Sequence, residues 1–245
     1  MAGAAAERQE SGLVSAIKSA VKKNKGNPIT LVAGNTTLTA VIDATKYGGR
    51  QVTGSEPYTD VIIYRRVRGK KVAVNLSMKG ESAPSLAGGG LRGIELAVPG
   101  LGARFFRAAH KGLLNEGHNP GDKIPDVFGK ISTTYKKKIV IGNKAMGGPI
   151  HYMYIGPMTV SNTYDAKKNT LTVNGGLHEA NEYAETHDLY FRLRARRIDQ
   201  RFDPDAKDPR GVPKIYGKSP SRGDSAGRLV VTDKVPKTAL VITVR

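Results

Sequence analysis

Glu56-Pro-Tyr-Thr-Asp60-Val-Ile-Ile-Tyr64, Arg65-Arg-Val-Arg-Gly-Lys-Lys71 and Val72-Ala-Val-Asn-Leu-Ser77-Met-Lys79 follow one another without a break. How this stretch is read decides the fold. Thr59 to Val67 and Val72 to Met78 are rich in β-branched residues, and Arg68-Gly-Lys-Lys71 between them supplies a polar, Gly-containing turn, so the stretch predicts a two-stranded antiparallel ribbon. Asp60 opens the first strand and Lys79 closes the second. In an antiparallel pair the start of one strand lies beside the end of the next, so the carboxylate and the ammonium are expected to converge. Alternation within the second strand assigns Val72, Val74, Leu76 and Met78 to one face and Asn75, Ser77 and Lys79 to the other. Lys79 therefore points away from the apolar layer.

Working outward, the apolar residues Leu13, Val14, Ile17, Ala20 and Val21 recur at three- and four-residue intervals, the pattern of an amphipathic helix from Glu7 to about Lys23. Glu7 and Glu10 near its start and Lys18, Lys22 and Lys23 near its end suit the helix dipole. Ile29–Ala33 and Thr37–Ile42 read as a hairpin before the ribbon. Beyond the ribbon, a Gly-rich loop that includes Ala87 to Gly90 leads to helices over Leu91–Val98 and Arg104–Leu114, broken at Pro99-Gly100. Lys136–Ile141, Ile150–Ile155 and Thr170–Val173 read as strands and Glu179–His187 as a weak helix. Leu189–Ile198 fits a strand or a helix. Residues 203–228, dominated by Pro, Gly, Lys, Arg, Asp and Ser, read as an irregular arm, with Leu229–Thr232 and Ala239–Val244 as closing strands. The expected class is α/β: a core over 1–130, a β-rich continuation of the same domain over 131–202, and an arm with closing strands over 203–245.

The 245 residues include no cysteine, which removes disulfides, thiolate metal sites and thiol nucleophiles together. No apolar run is long enough to span a bilayer, and the N-terminus lacks the basic and apolar regions of a signal peptide, so a cytoplasmic protein is expected. The Asn35 and Asn75 sequons are then chance matches. Lys and Arg outnumber Asp and Glu by 39 to 21, a net charge of +18. Such a surplus points to a polyanionic partner, because cationic contacts to a nucleic acid release its condensed counterions. An anionic membrane would satisfy the charge too, but no basic amphipathic helix with large apolar anchors accompanies it. The cations cluster as Arg65, Arg66, Arg68, Lys70 and Lys71, as Lys136, Lys137 and Lys138, and as Arg192, Arg194, Arg196, Arg197 and Arg201. On a strand, Tyr190, Arg192, Arg194 and Arg196 share a face suited to phosphates and to base stacking.

The order helix with an early Glu, hairpin, Asp-bearing strand, Lys-bearing strand, helix resembles the PD-(D/E)XK nuclease superfamily, which has the restriction-endonuclease-like fold of a mixed central sheet flanked by helices. The resemblance covers roughly residues 7 to 115. It implies a DNA-binding, Mg²⁺-dependent endonuclease in which Asp60 is a metal ligand and Lys79 positions or activates the attacking water. Hard oxygen ligands suit Mg²⁺, which lowers the pKa of bound water and offsets charge on the phosphate. The departure is at Ser77, where the family pattern expects an acid. Some members carry Ser-x-Lys and take the missing carboxylate from the following helix, so the resemblance implies Glu95 as the second metal ligand, with Glu81 on the Ser77 and Lys79 face as the alternative. Glu10 matches an acidic residue that many members bring toward the metal from the first helix.

Long arms also suit proteins that assemble with neighbours, so a non-enzymatic alternative is a phage virion or DNA-packaging protein built on an inactive nuclease fold. Gly88-Gly-Gly90-Leu-Arg-Gly93 fits a dinucleotide pattern, but a loop rather than a strand end precedes it, and near Gly211–Ser219 Pro220 blocks the helix a P-loop needs. The histidines show no metal-ligand spacing, and no Ser or His lies in the setting of a nucleophile elbow.

Overall fold

A computed structural model describes residues 3–54, 56–81, 90–119, 122, 125–194 and 228–244. In chain order the elements are α1 (Ala4–Lys23), β1 (Ile29–Ala33), β2 (Thr36–Lys46), β3 (Val61–Val67), β4 (Lys70–Gly80), α2 (Gly90–Ala97), α3 (Leu101–Asn115), β5 (Val127–Lys130), α4 (Thr133–Ile141), β6 (Tyr152–Gly156), β7 (Asn162–Asp165), β8 (Thr170–Val173), β9 (Gly176–Glu179), α5 (Ala180–Thr186), β10 (Tyr190–Arg194), β11 (Arg228–Thr232) and β12 (Leu240–Thr243). The class is α/β, with mixed sheets and flanking helices. Residues group into two compact units, one formed by Met1–Pro84 with Val140–Thr186 and the other by Ser85–Ile139 with His187–Arg245. The sequence-based boundaries at 130 and 202 follow composition, whereas the two units are interleaved along the chain.

The first unit holds an eight-stranded sheet in the order β7-β8-β1-β2-β3-β4-β6-β9. From β1 to β4 it is an antiparallel meander, while β1 pairs in parallel with β8 and β4 in parallel with β6. Leu13, Ile17 and Ala20 of α1 are buried in one apolar cluster with Leu31, Val41, Val61, Ile63, Val74, Leu76 and Met78. Removing this stripe from water is what holds α1 on the sheet.

The ribbon forms as β3 and β4, with a tighter turn than the composition suggested. Val67 pairs with Lys70, leaving only Arg68 and Gly69 to turn the chain. Both have positive φ, 49° and 77°, the geometry of a two-residue hairpin turn whose twist matches that of the strands.

In the second unit the sheet order is β11-β10-β5-β12. The closing strands are thus integral to it: β11 pairs with β10, and β12 runs parallel to β5. Phe105 of α3 packs on Phe191 of β10 with ring centroids 5.3 Å apart. Gly129 in β5 leaves room for this, since a Cβ there would lie 2.8 Å from the Phe105 ring.

One predicted element is corrected. Lys136–Ile141, expected as a strand, lies in the helix α4. Lys136, Ile139 and Val140 are buried while Lys137 and Lys138 are exposed, a helical spacing. The short Ile-Val-Ile run misled because a brief apolar run fits a strand or a helix equally well. Leu189–Ile198, left open from sequence, begins as the strand β10 and continues past Arg194 outside the described residues, as does most of the predicted arm.

Candidate functional site

Asp60 stands at the point where β3 leaves its ladder. Its N–H donates to Leu76 O at 2.8 Å, but the preceding N–H groups of Thr59 and Tyr58 turn to Gly147 O and Met146 O. The next N–H along β4, that of Met78, therefore has no backbone acceptor on β3. The Asp60 side chain takes that place: Oδ2 accepts the Met78 N–H at 2.6 Å and the Ser77 hydroxyl at 3.2 Å. Among the described residues, Oδ1 accepts no hydrogen bond. Burial pushes the carboxyl above its ordinary range, the Glu56 charge adds to that, and the Lys79 charge with the two hydrogen bonds opposes it without cancelling it.

Ser77 is buried and Lys79 half-buried near the end of β4. The Ser77 hydroxyl thus meets the Asp60 carboxylate, and the Lys79 charge acts on it.

Glu10 enters from α1. Only 9 % exposed, it takes an ion pair from Lys46 Nζ at 3.0 Å, and Glu7 reaches the same ammonium at 3.5 Å. Burial raises the Glu10 carboxyl, Lys46 lowers it, and the Asp60 charge raises it again. The two carboxylates therefore feel one another across the end of the sheet.

The other proposed acids are placed differently. Glu81 is exposed just past β4, and its charge reaches Tyr154, whose hydroxyl is pushed up to about 12 chiefly by burial. Glu95, on α2 in the second unit, accepts from Gly100 N at 2.5 Å and Ala103 N at 3.0 Å. Gly100 caps α3 with no side chain to offer, so the Glu95 carboxylate supplies the acceptor and meets the positive end of the helix.

Gln9 and Lys46 were missed by the sequence reading. Gln9 is 1 % exposed, and its Nε2 donates to Lys79 O at 3.2 Å, Gly156 O at 3.0 Å and Pro157 O at 3.0 Å. It ties α1 to the ends of β4 and β6. A signal was present: Gln9 lies on the same helical stripe as Leu13, Ile17 and Ala20, and a polar residue on a buried stripe needs polar partners. Among the described residues, the buried hydroxyls of Tyr58 and Thr59, next to Asp60, have no hydrogen-bond partner.

The cationic groups also sort themselves. Arg66, Arg68, Lys70 and Lys71 are exposed, with Lys71 Nζ 3.8 Å above the Tyr64 ring. Arg65 is turned onto Thr39, donating to its carbonyl at 2.7 Å and its hydroxyl at 3.1 Å. Lys136 is buried, with Nζ 2.6 Å from His187 O and 3.5 Å from Asp188 Oδ1, whereas Lys137 and Lys138 are exposed. Arg192 forms a close ion pair with Asp126 and lies over Phe128. The Arg194 side chain and Arg196, Arg197 and Arg201 lie outside the described residues.

No family model, curated protein or solved structure matches this chain.

Among the described residues no group of three or more His, Asp or Glu side chains is spaced to hold a metal. The oxygens that are present are nonetheless hard donors of the kind Mg²⁺ prefers, and that ion often takes only one or two carboxylates and fills its shell with water and substrate phosphate. Asp60 Oδ1, with no hydrogen bond among the described residues, is such a donor, whereas Glu10 lies on the α1 side of the sheet and is paired with Lys46. No helix among the described residues is long and apolar enough to cross a membrane.

Proposed function

We propose that the chain is a DNA-binding, Mg²⁺-dependent phosphodiesterase of the restriction-endonuclease-like type, with its site at the end of the β3–β4 ribbon. One observation carries the reading: Asp60, Ser77 and Lys79 meet where the ribbon leaves the sheet, and the α1 carboxylate of Glu10 lies within electrostatic reach of Asp60. The meander followed by a strand parallel to β4, with α1 on one face, supports the same reading of the fold. Asp60 would hold the ion. When bound, Mg²⁺ supplies Lewis-acid stabilisation of phosphate charge and a more acidic water. Lys79 would hold a water or a phosphate oxygen by charge and hydrogen bond, within electrostatic reach of Asp60. Ser77 fixes the Asp60 carboxylate, and Gln9 fixes the backbone of Lys79. The exposed cations of the ribbon bind phosphates.

A second reading rests on the small acid set: with no three-ligand cluster among the described residues, the same basic scaffold would bind DNA without cutting it, as a packaging or virion protein does. Incubation of plasmid with the protein and Mg²⁺ or Mn²⁺, beside Asp60→Ala and Lys79→Ala, separates the two. Cleavage lost in both variants supports the phosphodiesterase. Salt-sensitive binding with no cleavage by wild type supports the binding protein.

A further inference from the structure

A bare edge strand is a template for another chain unless something guards it. Three of the four sheet edges are guarded among the described residues. β7 carries the polar side chains of Asn162 and Asp165, the Thr36 hydroxyl donates to Leu177 O of β9 at 2.6 Å, and β11 is buried from Leu229 to Thr232 and packs against α2. β12 differs. Its one neighbour is β5, Leu240-Val-Ile-Thr243 and the following Val244 carry no charge, and Val241 is 51 % exposed. The ladders fix which of its backbone groups point outward. Ile131 N–H donates to Leu189 O at 2.8 Å, so the β5 residues in step with it, Val127 and Gly129, turn their backbone groups to β10, while Phe128 and Lys130 turn theirs to β12. In the parallel register Phe128 is then directed at Leu240 and Ile242, and Lys130 at Ile242 and Val244. The N–H and C=O of Val241 and Thr243 are left pointing at the open edge. A Cβ at Gly112 of α3 would lie 2.7 Å from the Ile242 side chain, so Ile242 faces α3 while Val241 and Thr243 face away.

We propose that β12 is a homodimer interface, pairing antiparallel with β12 of a second copy about a two-fold axis at Ile242. A two-fold operation sets the same patch against itself. Val241 and Thr243 then exchange backbone hydrogen bonds with Thr243 and Val241 of the second copy, and Ile242 meets its counterpart as the closer, non-hydrogen-bonded pair. Every outward backbone group of β12 finds a partner, and the two four-stranded sheets join with both α3 helices on one face. Charge favours a second copy at this place. Copies of a +18 chain repel over much of their surface, whereas β12 opposes no charge to itself. The same register brings Arg245, which follows Val244 in sequence and lies outside the described residues, beside Ala239 of the other copy. A groove there, lined by Thr238–Val241 with Glu116 and His118 from beyond α3, holds the Glu116 carboxylate, which has no ion pair among the described residues. Lys237 is exposed in the turn before β12, and the two Glu116–Arg245 contacts offset its repulsion. The interface belongs to the second unit and does not depend on the reading of the Asp60 site.

Sedimentation velocity of the full chain in about 1 M salt, where the screening length is about 3 Å, suppresses both repulsion between copies and bridging by nucleic acid. The expected result is a concentration-dependent monomer–dimer equilibrium in the micromolar range. Val241→Pro removes an outward N–H and no bond to β5, a change that edge strands tolerate. It is expected to weaken dimerisation about tenfold or more, since two hydrogen bonds are lost per dimer, and to melt close to wild type. Register is read with thiols, because the chain has no cysteine of its own. Ile242→Cys places two Cα atoms about 4.5 Å apart across the axis, within disulfide reach, and is expected to form a covalent dimer on mild oxidation. Val241→Cys and Thr243→Cys set like thiols a diagonal step apart, about 7–8 Å, and are expected to cross-link much less. Thermal melting checks that each variant is folded, and if Val241→Pro is not, the cysteine series decides. A wild type that stays monomeric throughout, its β12 edge taken by its own chain or left bare, would overturn the proposal. So would equal cross-linking at the three positions, or a folded Val241→Pro that dimerises like wild type.

Discussion

The carboxylate of Asp60 accepts the backbone N–H of Met78 at 2.6 Å, standing where β3 would have placed its next carbonyl. A single side chain thus finishes a sheet and begins a candidate active site. Because burial holds this carboxyl above its ordinary range, the native state retains its proton to higher pH than the unfolded chain does. The unfolded chain binds fewer protons between the two values, so the contribution of Asp60 to stability is greatest below the unfolded pKa and falls as pH rises through the folded one.

Asp60→Asn keeps an acceptor for Met78 and removes the buried charge. It is expected to melt at higher temperature than wild type at pH 8, with the two curves converging below about pH 4, near the ordinary Asp value. Asp60→Ala is expected to melt lower than the Asn variant, since it leaves the Met78 N–H and the Ser77 hydroxyl without an acceptor. Melting curves from pH 3 to 9 test both; equal melting of Asn and wild type at pH 8 would refute the buried-charge account.

Lys79 opposes the upward shift of Asp60 by its charge. Lys79→Met is therefore expected to raise the Asp60 pKa further, visible in the carboxyl carbon resonance, and to steepen the loss of stability as pH rises. If the proposed function holds, cleavage falls by about a hundredfold or more, the scale on which lost positioning of an acid–base group is felt.

Gln9 Nε2 serves three carbonyls at the ends of β4 and β6. Gln9→Leu retains similar bulk but leaves buried acceptors unpaired, at a cost of about 1–3 kcal/mol. Denaturant unfolding measures it, and a loss within error of zero would show that water reaches those carbonyls.

Glu10 is tied to Lys46 at 3.0 Å while burial raises its pKa. Lys46→Met removes the group that pulls it down, so the Glu10 pKa climbs and the variant loses stability relative to wild type as pH rises through that value. At acid pH, with Glu10 protonated in both, the difference is expected to shrink. A gap independent of pH would point to lost packing of the Lys46 stem instead.

Arg68 turns the hairpin with φ 49°, a conformation that asparagine tolerates better than a long side chain. Arg68→Asn is expected to stabilise the protein by up to about 0.5–1 kcal/mol, at the scale of other backbone-matched substitutions. Calorimetry is the measurement, and destabilisation would mean that the guanidinium makes a favourable contact at the tip.

Much of this protein is legible in residue order alone. The β-branched runs around Arg68-Gly69 specify a hairpin, the stripe from Leu13 to Ala20 specifies α1, and +18 specifies a polyanion as the partner to test. These properties are local or additive, so spacing and counting suffice. Tertiary structure alone decided the rest. It set Glu10 against Asp60, committed Lys136 to Asp188 and Arg192 to Asp126, and turned Glu95 onto α3. It also wove β11 and β12 into a sheet begun by β5. Each outcome depends on which distant segments exclude water from one another. A charge left in solvent is free for a partner, whereas one buried must find its counter-charge or hydrogen bonds within the fold.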